Sequence, residues 1–318
     1  MISPRWRRLL DERLDEAGRL LLRVPGVAGF VVGGSLGRDE PWPASDIDLL
    51  IVFETSDAPA ADLETARAEL VDWWAASARA QTLDMGGITF TVPDIRAAME
   101  GGPAWVIDRF DRRSWFHGID KGYGGRASDG SAPVVAEFAA WLTGIRFDPL
   151  IVAARIDRWT GAARGEYEAA RAAADPAVAT ILMRESARSA RMALLESWGE
   201  RLGSMGREWT RFERMARVHG QEDLAARITT IAGADVDRVS ARVGSVPTWL
   251  AERIDVCWAA RMAVGEDVSE AENARDQLAA FMVHVSRHRP DLDGPWTGTP
   301  DPELVEHLSE LGEILDRR

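Results

Sequence analysis

Two neighbouring runs decide the fold of this chain: VVGGSLGR at residues 31–38 and SDIDLLIVF at residues 45–53. The first run is apolar until it reaches Gly33–Ser35, where glycine gives the backbone the freedom that a tight turn needs. The second run opens with two aspartates two positions apart and continues as an apolar strand. Alternate residues of a strand point to the same face, so Asp46 and Asp48 direct their carboxylates the same way.

The chemistry of these residues suits a phosphate and a metal ion. Two adjacent carboxylates are hard oxygen ligands of the kind that Mg²⁺ prefers, and Mg²⁺ commonly bridges to substrate phosphates. The glycine turn offers backbone N–H groups to a phosphate, and Ser35 adds a hydroxyl. The alternative is a pair of solvated aspartates beside an ordinary turn serine. Because both features occur together within so short a stretch, the nucleotide–metal interpretation is favoured.

Length and composition limit the classes of protein to which the chain can belong. The chain has 318 residues, of which 46% are hydrophobic and 28% charged, as expected of a soluble protein with about two domains. No apolar run is long enough for a membrane span and the N-terminus lacks a signal-peptide core, so a cytoplasmic location without membrane contact is expected. The net charge of −13 argues against a general nucleic-acid binder. The single cysteine, Cys257, excludes an internal disulfide and is expected to be buried.

The pattern of elements changes part-way along the chain. Apolar runs predict strands at 27–32, 47–53 and 88–92, with amphipathic helices before and between them. From about Pro133 onward the strand signals disappear and helical patterns alternate with glycine and proline breakers. We therefore predict an α+β fold. A mixed-sheet catalytic domain occupies residues 1–130, and an all-helical domain follows at residues 131–318.

Two stretches of the first domain carry weaker signals. Residues 105–110 and 114–119 are expected to be short strands or irregular structure. The glycine-rich stretch 118–130 is expected to be a loop.

The spacing of the two runs resembles a known signature. Gly34 and Ser35, followed after a short spacer by Asp46 and Asp48, resemble the motif of the nucleotidyltransferase superfamily related to DNA polymerase beta. The helical second half is similar to the branch that modifies small molecules such as aminoglycoside or lincosamide antibiotics. The resemblance implies that Asp46 and Asp48 bind Mg²⁺ and that Gly33, Gly34 and Ser35 hold a nucleoside triphosphate, with ATP the first expectation. It further implies transfer of a nucleoside monophosphate to a hydroxyl, with release of pyrophosphate.

The family usually adds a third acidic residue from a neighbouring strand. The polar positions of the strand at 88–92 are Thr89 and Thr91, so the nearest carboxylates are Asp84 and Asp94. Asp94 is better explained as a helix cap. Asp84 is the candidate third catalytic carboxylate if the strand begins earlier than the pattern suggests.

Three more charged residues are candidates for ligand contacts. Arg38 follows the glycine turn and suits a triphosphate oxygen, although an exposed helix arginine is an equal alternative. Lys121, in the predicted glycine-rich loop, is a candidate nucleotide contact against the alternative of a solvated lysine. Glu185, in the helical half, is a candidate acceptor contact against the alternative of a surface pair with Arg188.

The combined expectation is a Mg²⁺-dependent nucleotidyltransferase whose helical domain closes the cleft and contacts a small-molecule acceptor, with antibiotic resistance as the biological setting. The alternative is a catalytically inactive nucleotidyltransferase-like regulator or antitoxin-type interaction protein, because the strand at 88–92 carries no carboxylate. Transfer to nucleic-acid ends shares the motif, but the acidic charge counts against it. The sequence is also compatible with a homodimer.

Overall fold

Two compact units make up the chain, Met1–Ile151 and Val152–Arg318. The predicted α+β class is confirmed, with a small mixed sheet in the first unit and helices throughout the second. Among the described helices, none combines the length and the apolar character needed to cross a membrane. The computed structural model describes residues 4–56, 59–77, 83–85, 87–202, 206–240, 242–288 and 299–317.

The first unit alternates helices and strands. Its elements in chain order are α1 (Arg5–Leu21), β1 (Val27–Val32), α2 (Gly34–Gly37), β2 (Ile47–Phe53), α3 (Ala60–Ala76), β3 (Leu83–Asp84), β4 (Thr89–Thr91), α4 (Val92–Ile107), α5 (Arg113–Gly122), β5 (Arg126–Ala127) and α6 (Pro133–Ile145).

The sheet is centred on β2. This strand pairs antiparallel with β1 and parallel with both β3 and β4, while β5 extends the sheet beyond β1. Every residue of β2 is buried. A strand covered on both faces has this property, and it explains why its sequence is a continuous apolar run rather than an alternating one.

Helices α1 and α3 cover one face of the sheet. Leu10, Leu14 and Leu21 repeat at helical spacing along α1 and are buried. They share one hydrophobic cluster with Trp74 of α3 and with Ile51 of β2. This layer packs against β2, the strand that carries Asp48, on the face of the sheet opposite α5 and α6.

Helices α5 and α6 cover the other face. Leu50 points away from its neighbours in β2 and meets the backbone of Gly122, where an added Cβ would lie 3.3 Å from Leu50 Cδ2. Phe90 of β4 makes edge-to-face contacts with Trp115 of α5 and Phe138 of α6, each with ring centroids 4.9 Å apart. Because α6 packs on the sheet, the first compact unit continues to Ile151, past the predicted boundary at residue 130.

The weaker expectations for residues 105–130 were partly wrong. Residues 105–107 belong to α4 and residues 114–119 to α5, where the buried Trp115, Phe116 and Ile119 follow helical spacing rather than strand alternation. The predicted loop at 118–130 begins as helix, since α5 ends only at Gly122. Asp94 is not the cap of α4: Thr91 is, with its hydroxyl accepting a hydrogen bond from the Asp94 N–H.

Truncating Phe138 should destabilise the first unit. Phe138 is fully buried, so Phe138→Ala leaves a cavity between α6 and the sheet and should lower the free energy of unfolding by about 3–5 kcal/mol. Trp73→Ala is the control, because Trp73 is 51% exposed and should cost less than about 1 kcal/mol. Denaturant unfolding checks both; equal losses would show that α6 does not belong to this core.

The second unit is helical wherever the structure describes it. Its elements are α7 (Pro149–Ala172, which starts just before the unit), α8 (Pro176–Ser197), α9 (Glu208–Val218), α10 (Glu222–Ile231), α11 (Val236–Ser240), a 3-10 turn (Val243–Ser245), α12 (Thr248–Ala263), α13 (Glu270–His288) and α14 (Leu304–Asp316). Cys257 of α12 is buried, as predicted, and burial raises the pKa of its thiol.

A buried ionic cluster lies at the centre of the second unit. Asp276 accepts hydrogen bonds from the backbone N–H groups of Trp209 and Thr210 in the first turn of α9, both at 3.2 Å. Arg261 and Arg275 flank the same carboxylate at 3.0 and 3.1 Å. Each of the three charged side chains is 0% exposed, and the arginines pair further with Glu266 and Glu213, so the buried charges are compensated by one another rather than by water.

Removing the charge of Asp276 should therefore be costly. Asp276→Asn keeps the side-chain volume but leaves two buried guanidinium groups without their shared anion, and should destabilise the chain by about 3–5 kcal/mol. Asp255→Asn, at an exposed position of α12, is the matched control and should change stability by less than about 0.5 kcal/mol. Thermal and denaturant unfolding measure both; a harmless Asp276→Asn would contradict this account of the cluster.

Candidate active site

Three carboxylates meet at one end of β2. Asp46 directly precedes the strand, Asp48 lies on it, and Asp84 lies on β3 in register with Asp48. One carboxylate oxygen from each residue lies within 4.8 Å of the others. Asp84 thus joins the two predicted ligands, from a separate short strand that precedes β4.

The glycine turn is in contact with this cluster. Gly34 has a φ of +58°, and a Cβ placed on it would lie only 1.8 Å from Asp48 Oδ2. The N–H of Gly33 donates to the Asp48 carbonyl over 2.9 Å. No residue with a side chain fits at position 34 unless the Asp48 carboxylate moves. The conformation of the turn and the position of the carboxylate therefore depend on each other.

A methyl group at Gly34 should disrupt the cluster. Gly34→Ala adds about 1–2 kcal/mol of left-handed backbone strain and displaces the Asp48 carboxylate, so both thermal stability and divalent-ion affinity should fall. Gly144→Ala is the control, because nothing lies within 4 Å of its added Cβ on helix α6. The control should leave both properties intact or raise stability slightly; a Gly34→Ala chain with normal ion affinity would contradict the contact.

Ser35 helps to position the first aspartate. Its buried hydroxyl donates to Ser45 Oγ over 2.9 Å, and Ser45 Oγ accepts the Trp42 N–H at the same distance. Since Ser45 immediately precedes Asp46, this chain of hydrogen bonds ties the turn to the start of β2. Contact of Ser35 with a phosphate stays a prediction.

Lys121 is part of the carboxylate cluster. Its Nζ lies 2.7 Å from Asp48 Oδ1 and 2.5 Å from Asp84 Oδ2. The sequence placed this lysine in a glycine-rich loop, but it stands near the end of α5, whose backbone packs against the glycine turn: a Cβ on Gly33 would lie 2.7 Å from the Lys121 carbonyl oxygen. The lysine therefore reaches the carboxylates from a helix on the α5–α6 face of the sheet.

The pKa values show how the charges in this cluster act on one another. Burial and the Asp46 carboxylate raise the pKa of Asp48 to about 7, even though Lys121 opposes the shift. Burial disfavours the charged form of Lys121, but the charges of Asp48 and Asp84 raise the pKa of its ammonium above the ordinary lysine value. Negative charge from Asp46 and Asp84 thus adds to burial in raising the pKa of Asp48, and a cation bound beside Asp48 would oppose that shift.

The remaining candidates lie in different surroundings. Arg38 is mostly buried, pairs with Glu40 at 3.4 Å, and has its aliphatic stem against Gly124. Glu185 lies on α8 in the second unit and pairs with Arg188 over 2.8 Å; the expected partner is present, but the two side chains are mostly buried rather than on the surface. Their contacts with nucleotide or acceptor stay predictions.

A cavity of about 420 Å³ opens beside Asp84. Cavities of a few hundred Å³ are the usual size for small-molecule sites. Polar and charged groups stand among apolar ones on its wall, which is lined in part by Phe53, Leu63, Glu64, Arg67, Asp84 and Thr89. The third carboxylate of the cluster thus also borders a space that a small organic molecule can fill.

Residues 14–75 match the family model of the nucleotidyltransferase domain. The matched segment runs from within α1 into α3 and contains the glycine turn, Asp46 and Asp48; Asp84 and Lys121 lie beyond it. The match supports the nucleotidyltransferase superfamily and a transferase with this domain. No curated protein is similar enough in sequence to count as a match.

The donor set fits the Mg²⁺ that nucleotidyltransferase domains generally use. All three candidate ligands are carboxylates, the oxygen chemistry that Mg²⁺ prefers, and they are close enough together to share a cation. Burial and the neighbouring Asp46 carboxylate raise the pKa of Asp48, so a bound cation would favour the charged form of its carboxylate.

Proposed function

We propose that the first unit transfers a nucleoside monophosphate, with AMP from ATP as the first expectation, to a hydroxyl of a small molecule such as an aminoglycoside-type antibiotic. The observation that carries the proposal is the meeting of Asp46, Asp48 and Asp84 beside the Gly33–Ser35 turn, in a segment that matches a nucleotidyltransferase domain. The cavity next to Asp84 supports a small acceptor. The net charge of −13 suits an acceptor that carries amino groups.

Each residue has a role in this reaction. Asp46 and Asp48 would hold Mg²⁺, which supplies neutralisation of charge on the α-phosphate when bound. Gly33, Gly34 and Ser35 bind and orient the triphosphate through backbone N–H groups and the turn. The acceptor hydroxyl attacks the α-phosphorus, the bond from that phosphorus to the departing pyrophosphate breaks, and Asp84 accepts the hydroxyl proton directly or through one water.

The inactive-regulator alternative depends on a missing third carboxylate. Asp84 supplies a third carboxylate, with one oxygen within 4.8 Å of an oxygen of each of the first two. The geometry therefore favours the catalytic proposal over the regulator, and the following assay separates them.

Pyrophosphate release tests the proposal directly. The full chain is incubated with Mg²⁺, each nucleoside triphosphate in turn, and a panel of aminoglycosides, lincosamides and oligonucleotides. We expect release that requires a small-molecule acceptor, and a loss of about 100-fold or more in Asp46→Asn, Asp48→Asn and Asp84→Asn. Asp94→Asn, outside the cluster, should keep the activity.

Other outcomes would redirect the assignment. Release with oligonucleotides alone would replace the small acceptor with a nucleic-acid end. Nucleotide binding without release from any acceptor would favour the regulator. Release that survives all three cluster substitutions would refute the site.

A further inference from the structure

The position of Lys121 determines how many ions the carboxylate cluster can hold. Its ammonium stands between Asp48 and Asp84, at 2.7 and 2.5 Å from one oxygen of each. A divalent ion that bridged the same two oxygens, Asp48 Oδ1 and Asp84 Oδ2, would have to occupy the same gap. Magnesium–oxygen distances are about 2.0–2.1 Å, so the ion and the ammonium cannot both sit there.

The backbone of Lys121 packs against the glycine turn, and its ammonium is held by the two carboxylates. The Lys121 carbonyl abuts Gly33, in the turn that also contacts Asp48. The side chain is only 27% exposed, and its two partners are 7% and 33% exposed. Moving the ammonium out would break two short ion pairs and leave the buried Asp48 to be neutralised by other means.

Electrostatic repulsion disfavours a second ion. Lys121 already places a positive charge 2.7 Å from Asp48 Oδ1 and 2.5 Å from Asp84 Oδ2. A second divalent ion at these two carboxylates would repel both that ammonium and the first ion at short range.

We propose that Lys121 takes the place of a second divalent ion, so that this site binds one divalent ion, held by Asp46 and Asp48, while Asp84 is held by the lysine. The inference rests on the proposed function, because it specifies the cation content of the same site. It assigns Lys121 to positioning and charge balance in the cluster rather than to a phosphate contact from a loop.

Manganese binding without nucleotide tests the inference. Free Mn²⁺ is titrated into the full chain and the bound ion is counted by electron paramagnetic resonance. We expect one ion per chain for the wild type and for Lys121→Arg, which keeps the charge. Lys121→Met removes the charge at similar length and should bind a second ion, or bind the first at least about tenfold more tightly.

Two further variants separate the roles of the carboxylates. Asp46→Asn should abolish the single manganese site, whereas Asp84→Asn should keep one ion, because Asp84 is paired with Lys121 rather than with the ion. Thermal unfolding of each variant shows whether it folds. If Lys121→Met does not fold, the ion counts of the wild type and of Lys121→Arg still test the inference.

The possible failures can be told apart. Two ions in the wild type, or a folded Lys121→Met chain that binds one ion with unchanged affinity, would overturn the inference, while acceptor-dependent pyrophosphate release would leave the proposed function standing. No bound ion in the wild type would overturn the inference as well. If pyrophosphate release were then also absent, the proposed function would fall with it.

Discussion

Asp48 lies on a strand that is buried on both faces, with its carboxylate against the backbone of Gly34. A buried carboxylate is expensive unless charges or hydrogen bonds compensate it, and here the compensation comes mainly from Lys121. The strand, the glycine turn and the end of α5 must therefore be placed together. Most of the first unit can be understood as the packing that holds these three segments in contact.

Lys121 compensates the buried charge of Asp48 only in part, and this favours the binding of a cation. A cluster satisfied entirely by protein groups would have no reason to bind a cation. Burial and the Asp46 carboxylate raise the pKa of Asp48 despite Lys121, and a cation beside it would favour its charged form. The buried cluster of the second unit differs in its partners: Asp276 has two arginines and the N–H groups of α9 around it, which tie α9, α12 and α13 together.

The parts of this arrangement that sequence could predict are those set by local patterns. Strand β2 was recognisable because burial on both faces demands a continuous apolar run, and the helical second unit because its apolar residues follow helical spacing. The spacing between Ser35 and Asp46 was informative for a physical reason that the structure shows. The Ser35–Ser45 hydrogen bond closes the spacer and brings the turn to the strand.

The contacts that sequence could not predict depend on long-range pairing, although Asp84 and Lys121 were already candidates. Strand β3 has only two residues, too few to leave a periodic signal, and Asp84 gains its place only through its register with Asp48 on β2. Lys121 was assigned to a loop because glycines at 118 and 122 resemble a flexible segment. In the structure those glycines are sites of close packing, against Phe90 and Leu50 respectively, within or at the end of a helix.

These two candidates are partners of each other, which explains why the sequence could name them but not predict their pairing. Neither Asp84 nor Lys121 has a distinctive neighbourhood in sequence; each acquires its role from the other and from Asp48. The motif at 31–53 supplies Asp46 and Asp48, while Lys121 and Asp84, which lie outside it, contribute to the charge around Asp48. The electrostatics of this site are thus a property that the motif alone does not encode.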